Sequence, residues 1–379
     1  MPVVLYAGLM SGTSVDGVDA VLLEISDARG AAGQRFLVRA ATHTQYPASL
    51  AARLQAAIAD PQSCRLDELG HLDAAVGEVF ADAAMHLFDF SGFAAQQVRA
   101  IGSHGQTLLH RPRGAPAFTM QIGDANRIAE RTGVDVVADF RRRDMAAGGE
   151  GAPLVPAFHA AAFGIAGATR VMVNIGGIAN ITVLAADGGV KGFDTGPGNC
   201  LMDLWSRQHL GAPFDKEGAL AASAAVHPEL LRRLLTEPYL ALAAPKSTGR
   251  ELFRRELLDT ALRGLDATVA TVQSTLCQYT AVTIVDAISR IARAQPAELL
   301  VCGGGAYNAE LMRRLASLLA RPVHSTAQYG IAPQHVEAAA FAWLAHQYVQ
   351  GQPGNLTAVT GARGPRVLGA LYAGGVTKP

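Results

Sequence analysis

The sequence is poor in lysine, net charge and paired cysteines, and each shortage removes a class of function. Only four of 379 residues are lysine (Lys191, Lys216, Lys246 and Lys378), and 32 basic side chains balance 32 acidic ones to a formal charge of zero. Gripping a nucleic-acid backbone by bulk charge needs a basic face that releases counterions, so no nucleic-acid partner is expected. The four cysteines (Cys64, Cys200, Cys277 and Cys302) contain no close pair, which signals neither a zinc site nor a redox dithiol and suits a reducing, cytoplasmic location. No Lys or Arg precedes Arg29, so the positive segment of an export signal is missing. Long uncharged stretches such as 151–169 and 267–285 are interrupted by proline and histidine in the first and by glutamine, serine and threonine in the second and are not expected to span a membrane. No GxxxxGK[ST] occurs, and Gly303-x-Gly305 lacks the third glycine of a dinucleotide fingerprint, which argues against a P-loop NTPase or a Rossmann dehydrogenase.

Glycine is what the chain has in excess. Forty glycines exceed the usual share of about 7%, and they fall in short runs between apolar stretches, where they suit tight turns and close approach to a ligand. With 50% hydrophobic and 17% charged residues, the chain can bury a large core in two or three domains of about 150 residues. Residues 3–25 read as strand, polar Gly/Ser/Thr turn, strand. Helical periodicity follows at Leu50, Leu54 and Ile58, then at Leu69, Leu72, Val76, Val79 and Phe80. The strand-turn-strand pattern recurs over 170–194. Helices are predicted over 228–235, 250–262, 272–294, 309–319 and about 333–351, with a strand over 299–302. The alternation predicts an α/β protein. A loop-rich stretch, 141–153, marks the boundary between a first domain (1–145, completed by the tail 351–379) and a second (146–350), with 148–151 as candidate hinge.

Three Gly-rich turns close predicted strands: Gly12-Thr13-Ser14-Val15-Asp16-Gly17, Asp194-Thr195-Gly196-Pro197-Gly198-Asn199 and Gly303-Gly304-Gly305. Backbone NH groups in such turns form anion-binding concavities. Asp16, Asp19 and Asp194 beside the turns would be repelled by phosphates unless a magnesium ion intervened, which a nucleotide site provides. Glu337 shares a helix face with Phe341, Leu344 and Tyr348, so this carboxylate is aimed inward and needs a partner or a function. His104, in Ser103-His104-Gly105-Gln106-Thr107, and Asp124, in Gln121-Ile122-Gly123-Asp124-Ala125-Asn126, suggest a polar pocket suited to sugar hydroxyls.

The order of these turns resembles the actin, Hsp70 and sugar kinase superfamily. Gly8-Leu9-Met10-Ser11-Gly12-Thr13-Ser14-Val15-Asp16-Gly17-Val18-Asp19, Ser103–Thr107, Asn174-Ile175-Gly176-Gly177-Ile178-Ala179-Asn180, Phe193–Asn199 and Glu337–Ala345 resemble one family in particular, the anhydro-N-acetylmuramic acid kinases. That resemblance implies two related actin-like (ribonuclease H-like) ATPase domains with a nucleotide cleft between them, and a cytoplasmic enzyme; it also suggests a homodimer. Its substrates would be ATP, with Mg2+, and 1,6-anhydro-N-acetylmuramic acid. The sugar would be opened by water and phosphorylated on O6 during peptidoglycan recycling. Asp194 would be the general base. ATP would be bound by Gly12, Thr13, Ser14, Val15, Asp16, Gly17, Val18 and Asp19, by Gly196 and Gly198, and by Gly303, Gly304, Gly305 and Asn308. Glu337, His104 and Asp124 would bind the sugar, and Asp16 and Asp194 the metal. The competing expectations are a kinase of another sugar and a nucleotide-driven switch without sugar chemistry.

Overall fold

The structure is a computed structural model describing residues 4–12, 14–27, 34–244, 246–249, 252–291 and 298–375. The chain separates into two compact units, Met1–Phe163 with His335–Pro379, and Gly164–Gln334.

The first unit is built on β1 (Val4–Met10), β2 (Gly17–Asp27), β3 (Gln34–Gln45), β4 (Val98–Ser103), the separate hairpin β5 (Gln106–Arg111) and β6 (Phe118–Ile122), and β7 (Val136–Ala138). The main sheet runs β3-β2-β1-β4-β7, and a late strand, Ala370–Tyr372, adds to β7. In the five-strand core only β2 opposes the common direction. The inner strands are apolar on both faces because helices cover both. On one side lies the helix Leu66–Ser91, which buries Leu72, Val76, Val79 and Phe80 of its predicted stripe, while Leu69 is half-buried against the same core. The helix Val336–Val349 packs on β1, β2 and β4 so closely that glycine is required beneath it. A Cβ on Gly8 would lie 2.7 Å from the Ala342 backbone nitrogen, and one on Gly102, its partner across β1 and β4, 2.7 Å from the Phe341 carbonyl carbon.

The second unit repeats this plan with β8 (Arg170–Ile175), β9 (Ile178–Leu184), β10 (Val190–Pro197), β11 (Glu298–Cys302) and β12 (His324–Ser325). Its order is β10-β9-β8-β11-β12, and only its second strand, β9, opposes the others. Both units therefore share a 3-2-1-4-5 order with strand 2 reversed, so the two predicted hairpins are the first two strands of two copies of one ribonuclease H-like topology. The long helix Val269–Ile291 buries Leu276, Thr280, Ile284 and Ile288. Among the described residues no helix is long and apolar enough to cross a membrane.

The division points differ from the predicted 145/146 and 350/351. The stretch 141–153 is not a linker: Phe140–Ala146 is helical, and the helix Val155–Phe163 stays with the first unit because Phe158 packs edge-on against Phe36 (ring centroids 5.4 Å apart) and lies 6.1 Å from Trp343. The whole of Val336–Val349 belongs to that unit as well. The helix predicted over 250–262 begins at Arg255, residues 250 and 251 lying outside the described residues, as do 292–294 of the predicted long helix and the last four of the tail.

Candidate active site

In each unit the glycine turns sit at the carboxyl ends of the first and fourth core strands, the edge where parallel α/β sheets bind ligands. In the first unit the turn after β1 is pinned from β5. The Ser11 hydroxyl lies 2.8 Å from the Gly17 carbonyl oxygen and 2.6 Å from Gln106 Oε1, while Gln106 Nε2 donates to the Gly12 carbonyl (3.2 Å). Val15 turns the chain in the left-handed region (φ 56°), and its NH reaches back to the Gly12 carbonyl (3.4 Å). The Asp16 carboxylate is exposed and accepts from the Ser14 hydroxyl (2.7 Å). Asp19 lies 2.8 Å from His43 Nδ1, and Val18 is wholly buried. Thr13 lies outside the described residues. Gln106 was visible only as part of a motif, and the structure makes it the clamp of the turn.

His104 sits at the end of β4, 5% exposed. Its Nε2 accepts from Arg141 Nε (3.1 Å) and Nη2 (2.9 Å), and its ring lies 4.6 Å from that of Phe341, centroid to centroid. An acceptor at Nε2 puts the proton on Nδ1, which is itself enclosed. Burial, reinforced by the Arg141 charge, holds this imidazole neutral, well below the usual histidine range. Arg141 also donates through Nη1 to the Gly151 carbonyl (2.9 Å). Burial lowers its pKa to about 10 against the opposing effect of Glu337 and then Asp144. Glu337 is half-buried in the first turn of its helix. Asp124 Oδ1 accepts from the backbone NH of Asn126 (3.0 Å) and caps the helix Ala125–Thr132. Sequence reasoning passed over Arg141 because it lay in a run of three arginines read as a loop.

In the second unit three turns converge. Gly198 NH donates to the Gly177 carbonyl (2.9 Å), Asn199 NH to Gly176 (2.8 Å) and Asn199 Nδ2 to Ile175 (3.2 Å). Gly303 takes φ 78°, where a Cβ would come within 2.7 Å of the Ile175 carbonyl oxygen, and one on Gly305 would meet the Ile175 side chain at 2.6 Å. These glycines are thus required by the packing of loop on loop. Gly304 has no such constraint, its nearest neighbour for a Cβ being Asn199 Nδ2 at 3.8 Å. Asn308 caps the helix Ala309–Leu319 by accepting from Leu311 NH (2.9 Å).

Asp194 stands on β10 opposite Asn180 of β9, which stands opposite Asn174 of β8, so one polar row crosses three strands. The β9–β10 ladder slips between Asp194 and Gly196, where Gly196 adopts φ 152°, and bulges of this kind re-aim side chains beside active sites. Asp194 Oδ2 accepts from Thr248 NH (3.0 Å), and the Asp194 backbone NH and carbonyl bond to the Lys246 carbonyl (3.2 Å) and the Tyr239 hydroxyl (2.8 Å). Burial pushes the carboxyl up to about 6 although the Thr248 NH and the Lys246 charge oppose the shift. Lys246 is occupied by the Tyr239 and Leu240 carbonyls (3.1 Å each) and sits 4.5 Å above the Tyr239 ring. The result is a carboxylate ionised at neutral pH with proton affinity close to that pH, as a general base requires.

The family model for anhydro-N-acetylmuramic acid kinase matches residues 4–374. An anhydro-N-acetylmuramic acid kinase of Vibrio parahaemolyticus serotype O3:K6 is 50% identical over 371 residues, covering 97% of this chain and 98% of that protein. One from Xanthomonas axonopodis pv. citri is likewise 50% identical over 371 residues, with the same coverage. Among solved structures, the activator of the 2-hydroxyisocaproyl-CoA dehydratase from Clostridium difficile with bound ADPNP aligns at TM-score 0.48 and 11% identity, over 93% of this chain and 99% of that one.

Proposed function

We propose, for a chain that belongs to the anhydro-N-acetylmuramic acid kinase family, that it uses ATP and water to convert 1,6-anhydro-N-acetylmuramic acid into N-acetylmuramic acid 6-phosphate. The observation that carries the proposal is the half-buried Asp194 carboxylate, raised to about 6 by desolvation and held by the Thr248 NH. Its free oxygen takes a proton from water as the water oxygen bonds to C1. The C1–O6 bond breaks, its electron pair passes to O6, and O6 bonds to the γ-phosphorus as the bond to the β-phosphate oxygen breaks and ADP leaves. The proton on Asp194 is then released to solvent.

Phosphoryl transfer is mainly positioning and charge neutralisation. The turn between β1 and β2 supplies NH groups for the phosphates, the turns at 196–198 and 303–305 serve the rest of the nucleotide, and Glu337 accepts from sugar hydroxyls. Among the described residues no group of three or more His, Cys, Asp or Glu could hold a metal ion. That fits magnesium, which takes one or two carboxylates and completes its shell with water and phosphate oxygens. Of the two predicted ligands Asp16 suits it better, being exposed and sharing only the Ser14 hydroxyl, whereas Asp194 is committed as base. Bound there, the ion would neutralise phosphate charge. A cytoplasmic role in peptidoglycan recycling, and a homodimer, belong to the same proposal.

The test supplies ATP and magnesium with either the anhydro sugar or its ring-opened counterpart. Phosphorylation of the anhydro sugar, with water oxygen appearing at C1, is the expected result. Phosphorylation of the open sugar alone would favour an ordinary sugar kinase, and ATP hydrolysis indifferent to both would favour a nucleotide switch.

A further inference from the structure

A general base works only from a fixed orientation, since a misplacement of about 1 Å can cost about a hundredfold in rate. Asp194 stands on β10, the edge strand of its sheet, where the outward backbone groups have no neighbouring strand to bond. At Asp194 those groups are met from outside the sheet. Its NH donates to the Lys246 carbonyl (3.2 Å) and its carbonyl accepts from the Tyr239 hydroxyl (2.8 Å). Thr248 NH then takes the carboxylate at Oδ2 (3.0 Å), so three bonds from one part of the chain hold backbone and side chain together.

Lys246 joins the members of this bracket to one another. Its ammonium donates to the Tyr239 and Leu240 carbonyls (3.1 Å each), in the short helix Pro238–Ala241, and stands 4.5 Å from the centroid of the Tyr239 ring. From the long helix, Arg290 Nη1 donates to the same Leu240 carbonyl (2.9 Å). The Leu240 side chain covers the bulge beside the base, where a Cβ on Gly196 would come within 3.1 Å of it. Tyr239 is 7% exposed, so its hydroxyl bond to the Asp194 carbonyl is shielded from competing water. One lysine thus touches the Asp194 backbone through its own carbonyl and, through its ammonium, holds the residue that grips Asp194 from the other end.

We propose that Lys246 is a positioning residue for Asp194: by tying Tyr239 to the stretch that bears Thr248, it fixes the carboxylate with Oδ2 engaged and the other oxygen turned to the attacking water. The inference rests on the reading of Asp194 as the base, and the experiment separates the two.

Steady-state kinetics on the full chain would give kcat and the KM for ATP and for the anhydro sugar. Lys246→Met, which keeps the length of the side chain and loses its donors, should lower kcat about tenfold or more with both KM values within about twofold of the parent. Lys246→Arg can still donate to both carbonyls and lie on the Tyr239 ring, and should keep kcat within about threefold. In the Asp194→Asn background Lys246→Met should cost no more than about twofold further, because Lys246 acts only through the carboxylate. A Met variant with parental kcat, an Arg variant as slow as the Met variant, a raised KM for ATP, or losses that multiply in the double variant would each overturn the proposal while the Asp194 reading stands. Near-parental turnover of Asp194→Asn alone would mean that the Asp194 reading has failed, and the proposal falls with it. Should Lys246→Met not fold, Tyr239→Phe decides. The ring under Lys246 remains and only the bond to the Asp194 carbonyl is lost, so kcat should fall about three- to tenfold, and by less than about twofold in the Asp194→Asn background. Parental kcat in Tyr239→Phe, or the same loss in both backgrounds, would overturn the proposal.

Discussion

Replacing Asp194 with asparagine removes the proposed base while leaving the local hydrogen bonding intact, since the amide oxygen can still accept from Thr248 NH. The carboxyl stands at about 6 against an ordinary 3.8, a difference of roughly two units, and at 1.36 kcal/mol per unit the ionised group costs the folded state up to about 3 kcal/mol. The sign is opposite to that of an ion-paired carboxylate. Below pH 3.8 both folded and unfolded forms are protonated and nothing is lost; the penalty grows between 3.8 and about 6 and is complete above that. Asp194→Asn should therefore lose about 100- to 10,000-fold in kcat yet melt no lower than the parent at pH 7.5, and its melting advantage should vanish near pH 4. In the parent, kcat/KM for the anhydro sugar should be half its plateau near pH 6 and about a tenth of it at pH 5. Coupled-enzyme kinetics across pH 4.5–8, with calorimetry on both proteins, measures both halves. A pH profile flat to 4.5, or an asparagine variant with near-parent turnover, would refute the assignment of the base. A variant markedly less stable than the parent would refute the burial argument behind it.

Gly102→Ala should destabilise the first unit by at least about 1–3 kcal/mol, seen as a lower urea midpoint, because its Cβ meets helix backbone that cannot move aside as a side chain would. Asp124→Ala should cost about 0.5–2 kcal/mol through the lost cap with the sugar KM unaltered; a raised KM without loss of stability would restore the sugar role first expected of this residue. Asp16→Asn should raise the magnesium concentration needed for half-maximal rate without shifting the melting temperature, since its carboxylate is exposed and shares only a neighbouring hydroxyl. Magnesium titrations that superimpose for both proteins would remove it as a ligand.

The turns and most helices were legible because their causes are local. Glycine marks where the chain must bend, and the spacing of Leu72, Val76, Val79 and Phe80 declares a buried face whatever that face packs against. The strand β3 was not legible, because its edge position alternates weakly and its identity comes from pairing with β2 along its length. The division of the chain was misplaced for a related reason: Gly148, Gly149 and Gly151 suggest a linker, but Asp144 and Thr360, 216 residues apart in sequence, bind that loop into the first unit. His104 and Asp124 looked alike as polar residues beside glycine, yet one is enclosed against Arg141 and the other caps a helix.

Residue order within short stretches was enough to establish the α/β class, the turns at the strand ends and the family. The chemistry of particular groups was set by folding in three dimensions. The proton affinity of Asp194 follows from burial and from a backbone NH 54 residues away, and the neutrality of His104 from burial and from a guanidinium 37 residues away. Desolvation and hydrogen bonding act across space, so a residue's neighbours in the chain do not report them.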